Sequence, residues 1–364
     1  MTDDTNKTER IDTPKLTRRS ALTAAVGTPA LLGLAVGSYE AATRVSDGDE
    51  SETGILCPLA DNQPSLEGEK TAISADPRLL SAHGLSAGQQ VRLVRNDTDD
   101  EFAIYTIVEE RPENPSDIIR GGAAARKRLD LASVEPTDPG NDDCPELLQA
   151  YTGDDKEIDV TISTMIPNPD LSEDEAREQG ELIERLDDRG SDLLFLAPHG
   201  GAVQPKTDQQ AEHAGELAEA TCWRTKGWGP NGVNAFHRWH VPTSELSPSS
   251  YPELATVTDE EFELAVDFSG VCETGIVVGG TADRARREAV RDSINDALPT
   301  CSVTATLADD ESGTNQELLS NRLAAETIYL AQSYDARRAY WKEISLGVAA
   351  GLSDDVVLMQ RHSC

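Results

Sequence analysis

Leu193-Leu194-Phe195-Leu196-Ala197-Pro198-His199-Gly200-Gly201-Ala202-Val203-Gln204 decides how the second half of this chain folds. Its apolar opening reads as a strand buried on both faces, which suits a parallel sheet with helices on each side. The strand runs into two glycines, where backbone can turn sharply or approach a ligand closely. A polar, helix-compatible segment starts at Thr207. Open α/β sheets gather their ligands at the carboxyl ends of strands, so His199 stands where a binding or catalytic histidine would stand. A histidine that merely finishes the strand is the competing reading.

Around this strand, helix and strand alternate. Leu171–Arg189 is predicted as an amphipathic helix capped by Ser172, with Ala176, Leu182, Ile183 and Leu186 inward. Glu212–Ala220 is helical, Gly227–Asn234 is a glycine-rich loop, and Trp239-His240-Val241 opens the next strand. Leu264–Phe268 and Gly275–Gly280 are buried strands. Asp283–Leu298 is a helix whose four arginines alternate with acids, a solvated face. Thr327–Leu330 is a late strand and Ala336–Gly351 a closing helix. Together these predict an α/β layer domain over residues 166–364.

The first half has another texture. Val91–Arg95, Phe102–Val108 and Val160–Ser163 are short strands separated by turn-forming residues, with a loop-like basic stretch, Ile118–Leu131, between them. This spacing predicts a small β-barrel domain over residues 54–165. Gly84–Leu93 resembles a segment of cradle-loop or double-psi barrels. Residues 1–53 read as an export signal and acidic tether. Arg18-Arg19 precede the apolar run Ala24–Gly37, in the manner of a twin-arginine signal. That run is about 14 residues, short of the roughly 20 a membrane span needs, yet retention as an N-terminal anchor stays open.

Acidic residues outnumber basic ones 66 to 32, for a formal net charge of −34. Such a chain is no nucleic-acid binder, because phosphate neutralisation needs a basic surface. The balance fits a halophilic protein whose self-repulsion is screened by high salt. Six cysteines fit an oxidising compartment, with their pairing open and no C-x-x-C among them.

Six landmarks occur in order: Ala-Pro-His-Gly-Gly at 197–201, Arg-Trp-His-Val at 238–241, Phe-Ser-Gly at 268–270, Val-Val-Gly-Gly at 277–280, Asn-Arg at 321–322 and Ala-Gln-Ser-Tyr-Asp-Ala-Arg at 331–337. Together they resemble the poly-γ-glutamate hydrolase family, zinc-dependent enzymes similar in fold to carboxypeptidase A. The resemblance implies a carboxypeptidase-like mixed sheet flanked by helices, and hydrolysis of γ-glutamyl amide bonds. It also implies a zinc site built from a strand-end His, an acidic residue five places on and a later His before Gly, with a glutamate moving the proton. In this chain the first ligand is His199. The acidic ligand falls on Gln204, the second His on Ser269 and the general base on Ala331.

Gln offers a weaker oxygen than carboxylate, Ser is not a usual zinc ligand, and Ala carries no proton. The expectation is an exported member with a dismantled site that still binds a γ-glutamyl or other carboxylate ligand. Asn321, Arg322 and His240 are the candidates for substrate contact, since an Arg fork pairs bidentately with carboxylate. Trp223, Trp228 and Trp239 offer stacking surfaces, with core packing the competing role and the favoured one for at least one of them. Two competing readings stay open. One is a working amidohydrolase that recruits ligands from His237, His240, Asp267, Glu273 and Glu326; the other is a structural surface protein.

Overall fold

The strand that anchors the sequence, Leu193–Gly201, lies near the centre of a seven-stranded sheet in the computed structural model. The structure describes residues 53–98, 101–130, 156–229, 232–300, 302–309 and 311–358. The signal reading over residues 1–52 lies outside them.

The described residues between Thr53 and Ser163 form a closed six-stranded barrel. Its strands are β1 (Thr53–Cys57), β2 (Ala72–Ala75), β3 (Gln90–Arg95), β4 (Phe102–Glu110), β5 (Ile118–Gly121) and β6 (Ile158–Ser163). They close in the order β1-β5-β2-β4-β3-β6, bearing out the small barrel expected from the strand spacing. Two short helices, α1 (Pro77–Ala82) and α2 (Ala123–Lys127), flank the strands. Ile118–Leu131 was expected as a loop, and its described residues, 118–130, hold β5 and α2 instead. Its apolar Ile119, Ala125 and Leu129 all enter the barrel core.

The α/β half begins with α3 (Glu173–Gln179) and β7 (Leu182–Asp187), where one helix was expected. The helix stops at Gly180, whose left-handed φ of 71° caps it and turns the chain. Leu182, Ile183 and Leu186 fit a helical stripe by spacing, but β7 is an edge strand paired antiparallel with β9 (Thr221–Gly227). The remaining strands are β8 (Leu193–Gly201), β10 (Phe262–Gly270), β11 (Ile276–Gly279), β12 (Ala305–Leu307) and β13 (Ala324–Gln332). The sheet order is β12-β11-β13-β10-β8-β9-β7. Strands β9, β8, β10 and β13 are mutually parallel, while β11 and β7 pair antiparallel with their neighbours β13 and β9. This is a mixed α/β architecture.

Helices α4 (Thr207–Ala218), α7 (Arg284–Ala297) and α9 (Tyr334–Leu352) cover one face, over Phe195, Ala197, Val266, Phe268, Ile328 and Leu330. The other face packs Leu194, Leu196, Trp223 and Ala265 against α5 (Gly232–Trp239), α6 (Pro252–Val257) and α8 (Leu319–Leu323). Trp239-His240-Val241, expected to start a strand, ends α5 and leaves it. Trp223, Trp228 and Trp239 are all buried, so they pack the core and offer no stacking surface.

Strand β4 alternates between two cores. Ala103, Tyr105 and Ile107 point into the barrel, while Phe102 and Ile104 join the sheet's second face. Its apolar sequence therefore follows from burial on both sides. Among the described residues no helix is long and apolar enough to cross a membrane.

Candidate functional site

Because β8, β10 and β13 run parallel, their carboxyl ends share one edge of the sheet. Leu194 and Leu196 face α5, while Phe195 and Ala197 face α4. Strict alternation would send His199 to the α4 side. Between Ala197 and Gly200, however, β8 takes three steps against two on β9, pairing with Arg224 and then Lys226. The extra residue is a bulge, and it turns His199 to the α5 side. The Thr225 hydroxyl donates to the Pro198 carbonyl at 2.6 Å, satisfying an oxygen within the bulge.

On β10, Asp267 and Ser269 lie on the same side as Ala265, opposite Val266 and Phe268. Ser269 is in register with Ala331 on β13. The strand register and the bulge thus direct the family positions 199, 269 and 331 toward one edge and one face. Gln204, in the loop after β8, joins them by bonding the backbone of Gly270.

What each side chain does there is another matter. His199 donates from Nε2 to the Val241 carbonyl at 2.8 Å, since a carbonyl can only accept. The lone pair of that nitrogen is not available to a metal. Burial drops the imidazole pKa to about 4, so the ring is neutral at ordinary pH. Its face stacks on His240 at 4.3 Å between centroids, and His240 stacks in turn on Phe236 at 4.2 Å.

Gln204 accepts from the Gly270 amide at 2.9 Å and donates to the Gly270 carbonyl at 3.2 Å. A carboxylate at this place could accept but not donate, so the amide is the better fit to a peptide unit. Arg337, from the landmark at 331–337, is buried and donates to Pro205 O at 2.7 Å and Gln332 O at 3.3 Å. It also fills the space above Gly270, where a Cβ would meet its guanidinium at 2.6 Å. Gln210 and Gln332 exchange amide bonds at 2.7 and 3.1 Å.

Ser269 donates to Asp267 Oδ1 at 2.9 Å, and the half-buried Tyr329 lies beside Ser269. Asp267 is fully buried, and its Oδ2 has no hydrogen-bond partner among the described residues. Burial raises its pKa to about 7, with the Ser269 bond opposing the rise. Ala331 has nothing with which to move a proton.

The glycine pair after His199 is set by packing. A Cβ on Gly200 would strike Asp208 and the Thr225 carbonyl. Gly201 has φ +71°, and a Cβ there would sit 2.6 Å from the Gly227 oxygen.

The donor set does not fit zinc. Of the positions that the resemblance assigns to metal, one histidine remains, and with Nε2 donating to Val241 it offers a single lone pair, on Nδ1. Gln204 and Ser269 are both engaged in hydrogen bonds, and no group of three or more His, Cys, Asp or Glu is placed to hold a metal among the described residues. The substitutes named from sequence do not assemble either. Glu273 is exposed, while Glu326 pairs with Arg286 at 2.8 Å beside Leu264, far down the strand. His237 is buried, with its pKa pushed by burial to about 3.

Asn321 and Arg322 lie in α8, ahead of β13, at the opposite end of the sheet. From Ala324 to Ala331 the strand advances roughly 20 Å. Asn321 donates to the Gly313 and Asn315 carbonyls, and Arg322 donates to Leu246 O at 2.5 Å. Both brace loops rather than this edge. Tyr329 is the site residue for which sequence gave no warning, while Asp267 entered only as a possible metal ligand and Arg337 only as the last residue of a landmark.

The family described as poly-gamma-glutamate hydrolase matches residues 169–357. Among solved structures, a bacteriophage poly-gamma-glutamate hydrolase is similar at 19% identity and TM-score 0.39, covering 48% of this chain and 87% of its own. The zinc-free form of YndL is similar at 17% identity and TM-score 0.40, covering 48% and 91%. A metallo-carboxypeptidase from Burkholderia cenocepacia is similar at 12% identity and TM-score 0.34, covering 56% and 76%. These likenesses are too low to assign roles to residues. No curated protein matches the chain.

Proposed function

The chain belongs to the poly-γ-glutamate hydrolase family over residues 169–357, and from that premise we propose that it is an exported member that binds a γ-glutamyl ligand without cutting it. The observation that carries the loss of hydrolysis is the Gln204 clasp on Gly270. It puts a neutral amide, already bonded on both sides, where the resemblance places a metal-binding carboxylate. Ala331 removes the proton carrier as well. The ligand class is supported by family membership alone, since Asn321 and Arg322 are occupied elsewhere.

Purified protein dialysed in high salt is expected to hold well under one equivalent of zinc. It is also expected to release no detectable product from poly-γ-glutamate, while titration calorimetry registers binding of that polymer. Stoichiometric zinc with robust cleavage would replace this proposal with the rearranged amidohydrolase. No heat of binding in high salt would favour the structural surface protein.

Export is supported by Arg18-Arg19 and by the disulfide at Cys272, a bond that persists in oxidising compartments. Changing Arg18 and Arg19 together to Lys should trap the protein inside the cell. Undiminished delivery outside would sink the twin-arginine route.

A further inference from the structure

Arg128, just past α2, reaches from the barrel to the end of α5. Its guanidinium is buried and has no carboxylate within salt-bridge distance among the described residues. It donates instead to four carbonyls: Nε to His237 O at 2.7 Å, Nη2 to His240 O at 2.9 Å, and Nη1 to Ile104 O at 2.6 Å and Lys70 O at 3.4 Å. Two of these belong to the barrel and two to the end of α5. The last carbonyls of a helix are left without intrahelical donors and carry partial negative charge, so a buried cation there is well matched. Burial lowers the Arg128 pKa to about 10, which keeps it charged at neutral pH.

The end of α5 is also what closes over His199. His240 lays its ring on His199, and the next residue, Val241, takes the hydrogen bond from His199 Nε2. Ring contacts strengthen the same join: Trp239 meets Phe102 of the barrel edge-on at 5.0 Å, and Arg92 of the barrel lies over the Trp239 ring at 5.5 Å. Arg92 in turn grips Glu181 with two bonds, at 2.8 and 2.9 Å.

We propose that the barrel is a built-in stopper for the family's active edge: Arg128 pins the end of α5 and thereby holds His240 and Val241 on His199. Arg128 is a positioning residue, acting through the backbone of His237 and His240. Removal of its guanidinium leaves both carbonyls buried without a donor, which favours α5 moving away from the edge. The inference does not depend on whether the chain hydrolyses or binds anything, because its readout is the accessibility of His199.

The test is carbethoxylation of the full chain in high salt near pH 7, followed by peptide mass spectrometry, with the partly exposed His213 as internal reference. Wild-type His199 should react far more slowly than His213. Arg128→Gln should speed His199 modification by roughly tenfold or more, the factor equivalent to 1.4 kcal/mol. The His213 rate should not change, and Arg128→Lys should restore much of the protection. A folded Arg128→Gln protein with His199 still fully protected would overturn the proposal. If Arg128→Gln fails to fold, Phe102→Ala opens the same join from the barrel side and is expected to raise His199 reactivity. If neither folds, wild-type protein in rising urea decides. His199 should then gain reactivity together with hydrogen exchange at the end of α5, and reactivity appearing before that exchange would refute the stopper.

Discussion

Asp267→Asn is expected to raise folding stability by about 2–4 kcal/mol at pH 8 and by little at pH 4. In the fold, burial lifts the Asp267 carboxyl from its ordinary 3.8 to about 7. Between those two values the folded chain holds a proton that the unfolded chain has lost. Stability from this group is therefore full below about pH 4, and it declines as pH rises through 7. Above that, the fold carries an ionised carboxylate with one oxygen lacking any partner among the described residues. Asn keeps the acceptor for Ser269 and carries no charge, although its amide hydrogens need a partner, which trims the gain. Urea unfolding in high salt at the two pH values measures the difference. An equal effect at pH 4 and pH 8 would show that Asp267 is not the titrating group.

Gly201→Ala is the second large effect, a loss of about 3–5 kcal/mol. Two costs combine. The residue has φ +71°, which disfavours any side chain, and the new methyl would lie 2.6 and 2.7 Å from the oxygen and nitrogen of Gly227. Neither backbone atom can move without disturbing the pairing of β8 with β9. Gly190→Ala is the control, since Gly190 has φ +61° with open space around it. It should lose about 1–2 kcal/mol, the conformational cost alone. Equal losses at both positions in urea unfolding would show that close packing at 201 contributes nothing.

The parts of the fold legible in sequence are those whose burial leaves a one-dimensional trace. Leu193–Ala197, Leu264–Phe268 and the α7 and α9 patterns are apolar in the period their structure demands, and each falls inside its expected element. Strand β9 left no such trace. Its Arg224 and Lys226 are buried, but as ion pairs: Arg224 with Asp187 and Glu212, each at 2.6 Å, and Lys226 with Glu173 at 2.7 Å. Their partners lie on β7, α4 and α3, so only the assembled fold explains those charges. Strand β7 failed for the reverse reason, because three apolar residues match a helical stripe as well as an edge strand.

At the site, the motifs identified His199 and the three altered positions, but not what the replacements do. That Gln204 clasps a peptide unit depends on Gly270, far along the chain. That Asn321 and Arg322 sit at the wrong end depends on where β13 begins. Arg128 was visible only as part of a basic stretch, and its meaning comes from carbonyls more than a hundred residues later.

The extra residue in β8 has a genetic corollary. The three family positions that differ here differ by substitution, and the bulge that aims His199 is indifferent to which side chains stand at 204, 269 or 331. Deleting a single codon between Ala197 and Gly200 would be a different kind of event. Loss of Pro198 would remove the bulge and the carbonyl that Thr225 holds, while plain alternation would keep the histidine, now next to Ala197, on the α5 side and Gly200 opposite Lys226. A mutational library across this segment should therefore find the histidine still on the α5 face in chains lacking Pro198, with the bond from Thr225 lost.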